Sequence, residues 1–297
     1  MSMIYPIIKY RKIWFTLSSL LVLVSVAALV IFPLRFGIDF TGGSLMELRF
    51  NERPLTQEMR NTMTELNYAE AVVQPLGDLG MLVRLPTMGE EEHQSLLTSL
   101  REKHGEVIEL RFESIGPTVG SEMRSKAVWS LSLVLIAIAL YVAYAFRKVS
   151  RPVASWKYGI TTLIAALCHD VLIPLGVFAV LGHVLLVEIN SAFIAAMLTV
   201  LGFSVHDTIV VFDRVRENLM KTGGTFEEIV ERSVNETLAR SINTSLTTML
   251  PLIAIYLWGG ETLRWFALAL MIGLIAGTYS SIFLASPLLV VFQKKSK

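Results

Sequence analysis

Charge is scarce in this sequence. Asp, Glu, Lys and Arg make up 17% of it, against about 25% in an ordinary soluble domain. The net charge of +1 says nothing by itself about acidic partners; what matters is where the charges sit, and they fall between the apolar runs. There is one cysteine, Cys168, inside an apolar run, so an intrachain disulfide is excluded and the residue reads as packing. No P-loop, G-x-G-x-x-G fingerprint, H-E-x-x-H string or Cys/His ligand spacing occurs, which removes the usual signatures of nucleotide, dinucleotide and metal chemistry. Basic residues are not interleaved with aromatics, so nucleic acid is not an expected partner.

What the chain has instead is apolar sequence. Hydrophobic residues make up 53% of its 297 positions and the mean hydropathy is +0.58. They come in runs near or above the length that crosses a bilayer, about 20 residues each. Six runs qualify, at about 13–34, 126–146, 158–182, 189–212, 239–258 and 263–292. Lys9, Arg11 and Lys12 precede the first, but a secretory h-region is only about 7–15 residues long, so an uncleaved first span is expected. Pro174, Pro251 and Pro287 fall inside spans, where neighbouring helices satisfy the freed carbonyls.

The short loops predict orientation. Lys9, Arg11 and Lys12, then Arg147, Lys148, Arg151 and Lys157, then Arg214, Arg216 and Lys221, then the Lys294–Lys297 tail all fall on one side. The loops 183–188 and 259–262 contain no Lys or Arg. The positive-inside rule therefore predicts both termini in the cytoplasm.

Residues 1–36 then hold the N-terminus and first span, 37–124 an outer domain, and 125–297 the remaining spans. In the outer segment Met46, Leu48 and Phe50 alternate as in a strand. Met59, Met63 and Leu66 form a helical stripe, and Gly77-Asp78-Leu79-Gly80 reads as a hairpin turn. A helix near 90–104 stops at Gly105, and a strand follows over 106–114. The order βαββαβ predicts a ferredoxin-like α+β domain. It carries no catalytic cluster, and His93 and His104 read as solvated helix residues. The polar stretch 213–238, with a capping box at Thr225 and Glu228, predicts an amphipathic helix along the cytoplasmic face. The fold class is thus a polytopic α-helical membrane protein with six transmembrane helices and this domain between the first and second.

A charged side chain at the centre of a span costs at least about 2.5–3.5 kcal/mol, so ionisable residues there are functional candidates. His169 and Asp170 lie about 18 Å into the third span at 1.5 Å per residue. His206 and Asp207 lie in the fourth, and Arg240 just inside the cytoplasmic end of the fifth. The fourth span descends towards the cytoplasm and the fifth rises from it, so Asp207 and Arg240 are expected at one height, as a proton relay or a static pair. His169–Asp170 is a secondary set, either a relay or a structural hydrogen-bonded pair. No cofactor is expected beyond the proton as coupling ion. Gly273 and Gly277 form a small-xxx-small pair in the last span, continued by Ser280 and Ser281.

Three strings carry a family resemblance: GIDFTGG at 37–43, GFSVHDTIVVFDRVREN at 202–218 and NETLARSINTSLTT at 235–248. Together they resemble the SecD/SecF protein-export family, on its SecF side, over essentially the whole chain. The resemblance implies a six-span half of a resistance-nodulation-division-type assembly in the bacterial cytoplasmic (inner) membrane, and no enzyme. It implies SecD as partner, with the SecYEG channel, the translocating preprotein, YajC and membrane lipids as further partners. It also implies proton-gradient coupling, with the family's proton-path aspartate falling on Asp207 and its arginine on Arg240. The family usually has asparagine where this chain has His206. The competing reading is a small-molecule or lipid exporter of the same superfamily, which usually carries twelve spans in one chain. An intramembrane enzyme is a third, without a nucleophile–base constellation behind it.

Overall fold

The computed structural model describes residues 5–147 and 153–294. Lys148 and Arg151 of the second basic loop, and residues 295–297 of the basic tail, lie outside the described residues. The chain divides into two units, Phe36–Val128 and the combination of Met1–Arg35 with Trp129–Lys297.

The Phe36–Val128 unit opens on a short turn of helix, α2 (Ile38–Thr41), after the first long helix of the chain, α1 (Arg11–Ile31). It continues through β1 (Gly43–Phe50), α3 (Thr56–Glu65), β2 (Val72–Leu76), β3 (Gly80–Leu85), α4 (Glu90–His104) and β4 (Val107–Ile115). The strands form one antiparallel sheet in the order β2-β3-β1-β4. Pro75 sits in β2, an edge strand, where its missing N–H costs no central ladder bond. Met46, Leu48 and Phe50 of β1 are at most 1% exposed and pack with Met59 and Met63 of α3 and Leu100 of α4. Each such side chain contributes roughly 1.5–3 kcal/mol on burial.

The two glycines ending GIDFTGG turn the chain into β1. Gly42 has φ +74°, and a Cβ there would lie 2.8 Å from Pro117 Cα. Gly43 has φ +118°, and its Cβ would lie 2.9 Å from the Leu85 carbonyl oxygen. Only glycine fits both the dihedral and the approach.

One expectation is overturned here. His93 is 3% exposed rather than solvated. Its ring lies flat on Phe112, centroids 3.7 Å apart and 4° from parallel, with Nε2 2.6 Å from Glu109 Oε1. His104 is half-buried, Nε2 2.9 Å from Thr62 Oγ1. Both occupy the sheet-facing stripe of α4, where the polar atoms need partners.

The second long helix, α5 (Pro117–Ala145), begins in the Phe36–Val128 unit and ends in the other, where α6 (Ser155–Ile164), a π-helical segment (Ala165–Val171) and α7 (Leu172–Val184) follow. Then come α8 (Ser191–Lys221), α9 (Phe226–Trp258), α10 (Glu261–Tyr279), a second π-helical segment (Ser280–Ala285) and α11 (Ser286–Lys294). Among the described residues five helical stretches are long and apolar enough to cross a membrane: Arg11–Ile31, Pro117–Ala145, Ser155–Val184, Ser191–Lys221 and Leu263–Gln293. The chain is thus a polytopic helical membrane protein. The run expected at 239–258 is helical, within α9, but Ser241, Asn243, Thr244, Ser245 and Thr247 dilute its apolar character.

The expected single amphipathic helix over 213–238 is instead a helical hairpin. The end of α8 and the start of α9 meet at a turn where Gly224 has φ +122° and the Thr225–Glu228 capping box restarts the helix. Its polar residues face one another rather than a membrane surface: Arg214 Nε donates to Glu236 at 2.6 Å, and Asn218 Nδ2 to Ser233 at 3.0 Å. The N-terminal segment is strapped to α9. Ile8 and Lys9 donate their amides to the Glu231 carboxylate at 3.0 and 3.2 Å, and Ile7 and Ile8 are buried.

Candidate functional site

Small residues bring the polar groups of the span bundle together. On α10, a Cβ at Gly273 would lie 2.4 Å from Val200 Cγ2 of α8, and one at Gly277 2.8 Å from Ser204 Cβ. The absent side chains let the two backbones close, as small-xxx-small pairs do in membranes. Ser280 and Ser281, one turn further, are thereby set against α8. Ser281 Oγ donates to the Ser204 carbonyl at 3.0 Å, and Thr208 Oγ1 lies 2.8 Å from Ser281 Oγ.

Asp170 is the centre of this cluster. It is 0% exposed and His169 is 1% exposed. Oδ2 accepts from Ser280 Oγ at 2.9 Å and from Ser204 Oγ, while Oδ1 lies 3.1 Å from His169 Nδ1. A carboxylate removed from water needs its lone pairs engaged, and three elements supply the partners. His169 also stacks on Tyr279, centroids 5.2 Å apart, and its Nε2 is buried with no hydrogen-bond partner among the described residues.

Asp207 lies one turn along α8 from Ser204 and is 8% exposed. It lines a pocket with Ser204 and His206 of α8, Thr244 and Ser245 of α9 and Thr278 of α10. Ser245 Oγ lies 2.5 Å from Thr278 Oγ1 across that pocket. The Ser241 hydroxyl of α9 is fully buried beside the carboxyl of Asp207, without a hydrogen-bond partner among the described residues. His206 is exposed.

The structure does not bring Arg240 onto Asp207. Among the described residues no ion pair or hydrogen bond joins them. Successive helical residues point about 100° apart, so Ser241 faces α8 while Arg240, exposed, is turned aside. Arg240 lines a separate cavity of about 400 Å³ with Asp213, Arg214, Glu217 and Glu236. The height argument placed the two residues on one level; the azimuth separates them.

The hydroxyls that complete both sites, Ser204, Ser241 and Thr208, were not singled out from sequence. Only Ser204, three positions before Asp207 and so on the same helix face, carried a signal that spacing could have found. Among the described residues no group of three or more His, Cys, Asp or Glu is placed to hold a metal ion.

Known proteins resemble this chain. The family model described as protein export membrane protein SecD/SecF, C-terminal, covers residues 95–295, and the SecD/SecF GG motif covers 27–52. The protein translocase subunit SecF of Thermobaculum terrenum is 44% identical, over 97% of this chain and 94% of its own length. That of Synechocystis is 37% identical over 96% and 93%. The crystal structure of SecDF, a translocon-associated membrane protein from Thermus thermophilus, superposes with a TM-score of 0.84 at 34% identity. It matches 97% of this chain, which spans 38% of that longer chain. The chain belongs to the SecD/SecF family of protein-export membrane proteins.

Proposed function

We propose that this export subunit works with SecD beside the SecYEG channel and couples preprotein movement to the proton gradient across a bacterial cytoplasmic membrane. In this reading α9 supplies a sixth span. Its 33 residues extend about 50 Å at 1.5 Å per residue, enough for a cytoplasmic hairpin arm and a crossing. The βαββαβ unit is the ferredoxin-like domain on the outer side, and both termini are cytoplasmic. YajC and membrane lipids are further partners.

The observation that carries the reading is Asp207, a carboxyl nearly closed off from solvent at a junction of three helices, lined by hydroxyls that can pass a proton. Beside it, His206, Arg240, Asn243, Thr244 and Thr247 are exposed along α8 and α9. Lipid cannot satisfy such groups, which supports a polar partner helix bundle there, the role SecD would fill. Arg240 lines the neighbouring cavity with three acidic residues and can approach Asp207 when α9 moves. A proton crossing about 150–200 mV releases roughly 3–5 kcal/mol, enough to shift a two-state equilibrium about a thousandfold.

The test is Asp207→Asn in cells whose membrane potential and pH gradient are set independently. Export is expected to lose its dependence on the gradient while the protein stays in the membrane at parental level. Gradient-dependent export unchanged by the substitution would sink the coupling role.

A further inference from the structure

Asp207 is not the only enclosed carboxyl in the bundle, and the second is the more fully built. Asp170 has no exposed surface and is held by groups from three elements: His169 beside it, Ser204 of α8, and Ser280 of the second π-helical segment. His169 offers one nitrogen to that carboxyl, and its other nitrogen is buried and unpartnered among the described residues. A ring nitrogen left unpaired in a closed site is destabilising. It is also the geometry of a base oriented by a carboxylate, with one nitrogen bonded and the other available for a proton. Ser204 belongs to both sites, since its hydroxyl donates to Asp170 and lines the pocket of Asp207.

We propose that His169 and Asp170 form a second proton-binding site of the span bundle, filled from the Asp207 pocket through the Ser204 hydroxyl. This rests on the reading of Asp207 as a proton site. In the transfer, Ser204 Oγ takes a proton from the pocket side and releases its own to Asp170 Oδ2. The serine is unchanged, and the dyad gains one proton, held on the carboxyl or on the imidazole. The pair passes from a net charge of −1 to zero.

The surroundings leave that charge without a fixed counter-charge. Tyr279 stacks on His169, and Asp207 and His206 lie across Ser204. Among the described residues His169 is the only cationic type within ion-pair distance of Asp170, and α1 brings the uncharged Trp14 and Ser18 to the Tyr279 hydroxyl. Protonation therefore changes the anchor that the Ser204 and Ser280 hydroxyls share. His169 and Asp170 lie in one π-helical segment and Ser280 begins the other. Such segments hold their register weakly and recur at functional sites, so loading the dyad loosens the joint between the third, fourth and last spans.

The experiment is pH-difference infrared spectroscopy on the full chain reconstituted with SecD in lipid. Acidification is expected to produce two carboxyl bands, one lost in Asp170→Asn and the other in Asp207→Asn. Ser204→Ala should keep both bands at equilibrium but slow the appearance of the Asp170 band after a pH jump by about a hundredfold. A spectrum unchanged by Asp170→Asn overturns the dyad, and a persisting Asp207 band then shows that the export reading survives. If only the Asp207 band is missing, the export reading and the filling route fail together. Should Asp170→Asn fail to insert, His169→Gln leaves the carboxyl in place and must shift its band without moving that of Asp207. An unmoved spectrum overturns the proposal.

Discussion

Gly277 of α10 touches Ser204 of α8 so closely that a Cβ on the glycine would lie 2.8 Å from the serine Cβ. The same serine holds Asp170 through its hydroxyl and Ser281 through its carbonyl. The close approach and the polar cluster are therefore one feature, and the first is the cause of the second.

Gly277→Val should push α10 away from α8 and strip Asp170 of the Ser280 hydroxyl. Overpacking of this kind costs about 1–3 kcal/mol, beyond which a buried acceptor is left wanting. Thermal unfolding in detergent should show a clear loss. Gly223→Ala, where a Cβ meets nothing within 4 Å, should be silent. Equal melting of the two variants would contradict the packing argument.

The separation of Asp207 from Arg240 predicts a small coupling between them in the resting state. A double-mutant cycle on stability with Asp207→Asn and Arg240→Gln should return less than about 0.5 kcal/mol, as for groups without shared partners. The cycle pairing Asp207→Asn with Ser241→Ala should return about 0.5–3 kcal/mol, because those groups face one another across α8 and α9. The reverse order of magnitudes would restore the direct ion pair expected from depth alone.

Several elements were legible in the residues themselves. Alternation at Met46, Leu48 and Phe50 marked β1, and Gly105 marked the end of α4, because each signal acts within a few positions. Separation along a helix axis was also readable, since rise per residue is fixed. Azimuth was not: Arg240 and Ser241 are neighbours in sequence, and only the packing of α9 on α8 decides which one faces Asp207. The partners of Asp170 were hidden for the same reason, as Ser204 and Ser280 lie 34 and 110 positions away. The turn at Gly223-Gly224 was present in the stretch read as one helix. There, local breakers outweighed the polar periodicity.

His93 tests the outer unit. Its buried ring stacks on Phe112 and bonds the partly buried Glu109. His93→Ala leaves the Glu109 carboxylate short of a partner and opens a gap above Phe112, and a loss of about 1–3 kcal/mol is expected. Hydrogen exchange should quicken in α4 and β4, while the α8–α9 hairpin keeps its protection. Unchanged exchange in α4 would return His93 to the status of a surface residue.

Glu231 ties the N-terminal strap to α9 through two backbone amides, and Asn235 adds bonds to both the amide and the carbonyl of Tyr5. Removing the carboxylate with Glu231→Ala should cost about 1.5–3 kcal/mol per charged hydrogen bond at most. The strap should become open to proteolysis in detergent while the spans stay intact. Resistance equal to the parent would show that Ile7 and Ile8 hold the strap without it.

Tyr68 gives a prediction in pH. Burial, and then the hydrogen bond from its hydroxyl to Glu92 Oε1 at 2.8 Å, push its pKa from an ordinary value near 10 up to about 12. The folded state thus holds the phenol proton more tightly than the unfolded chain does. The contact's contribution to stability is whole below about pH 10 and is lost as pH rises through about 12. Tyrosinate absorbance, taken as the difference between the parent and Tyr68→Phe, should show this one tyrosine titrating late. Glu92→Gln removes the neighbouring negative charge and should bring the midpoint back part of the way, leaving the share due to burial. A difference spectrum with its midpoint near 10 would mean that Tyr68 is open to water and the Glu92 contact is not kept in solution.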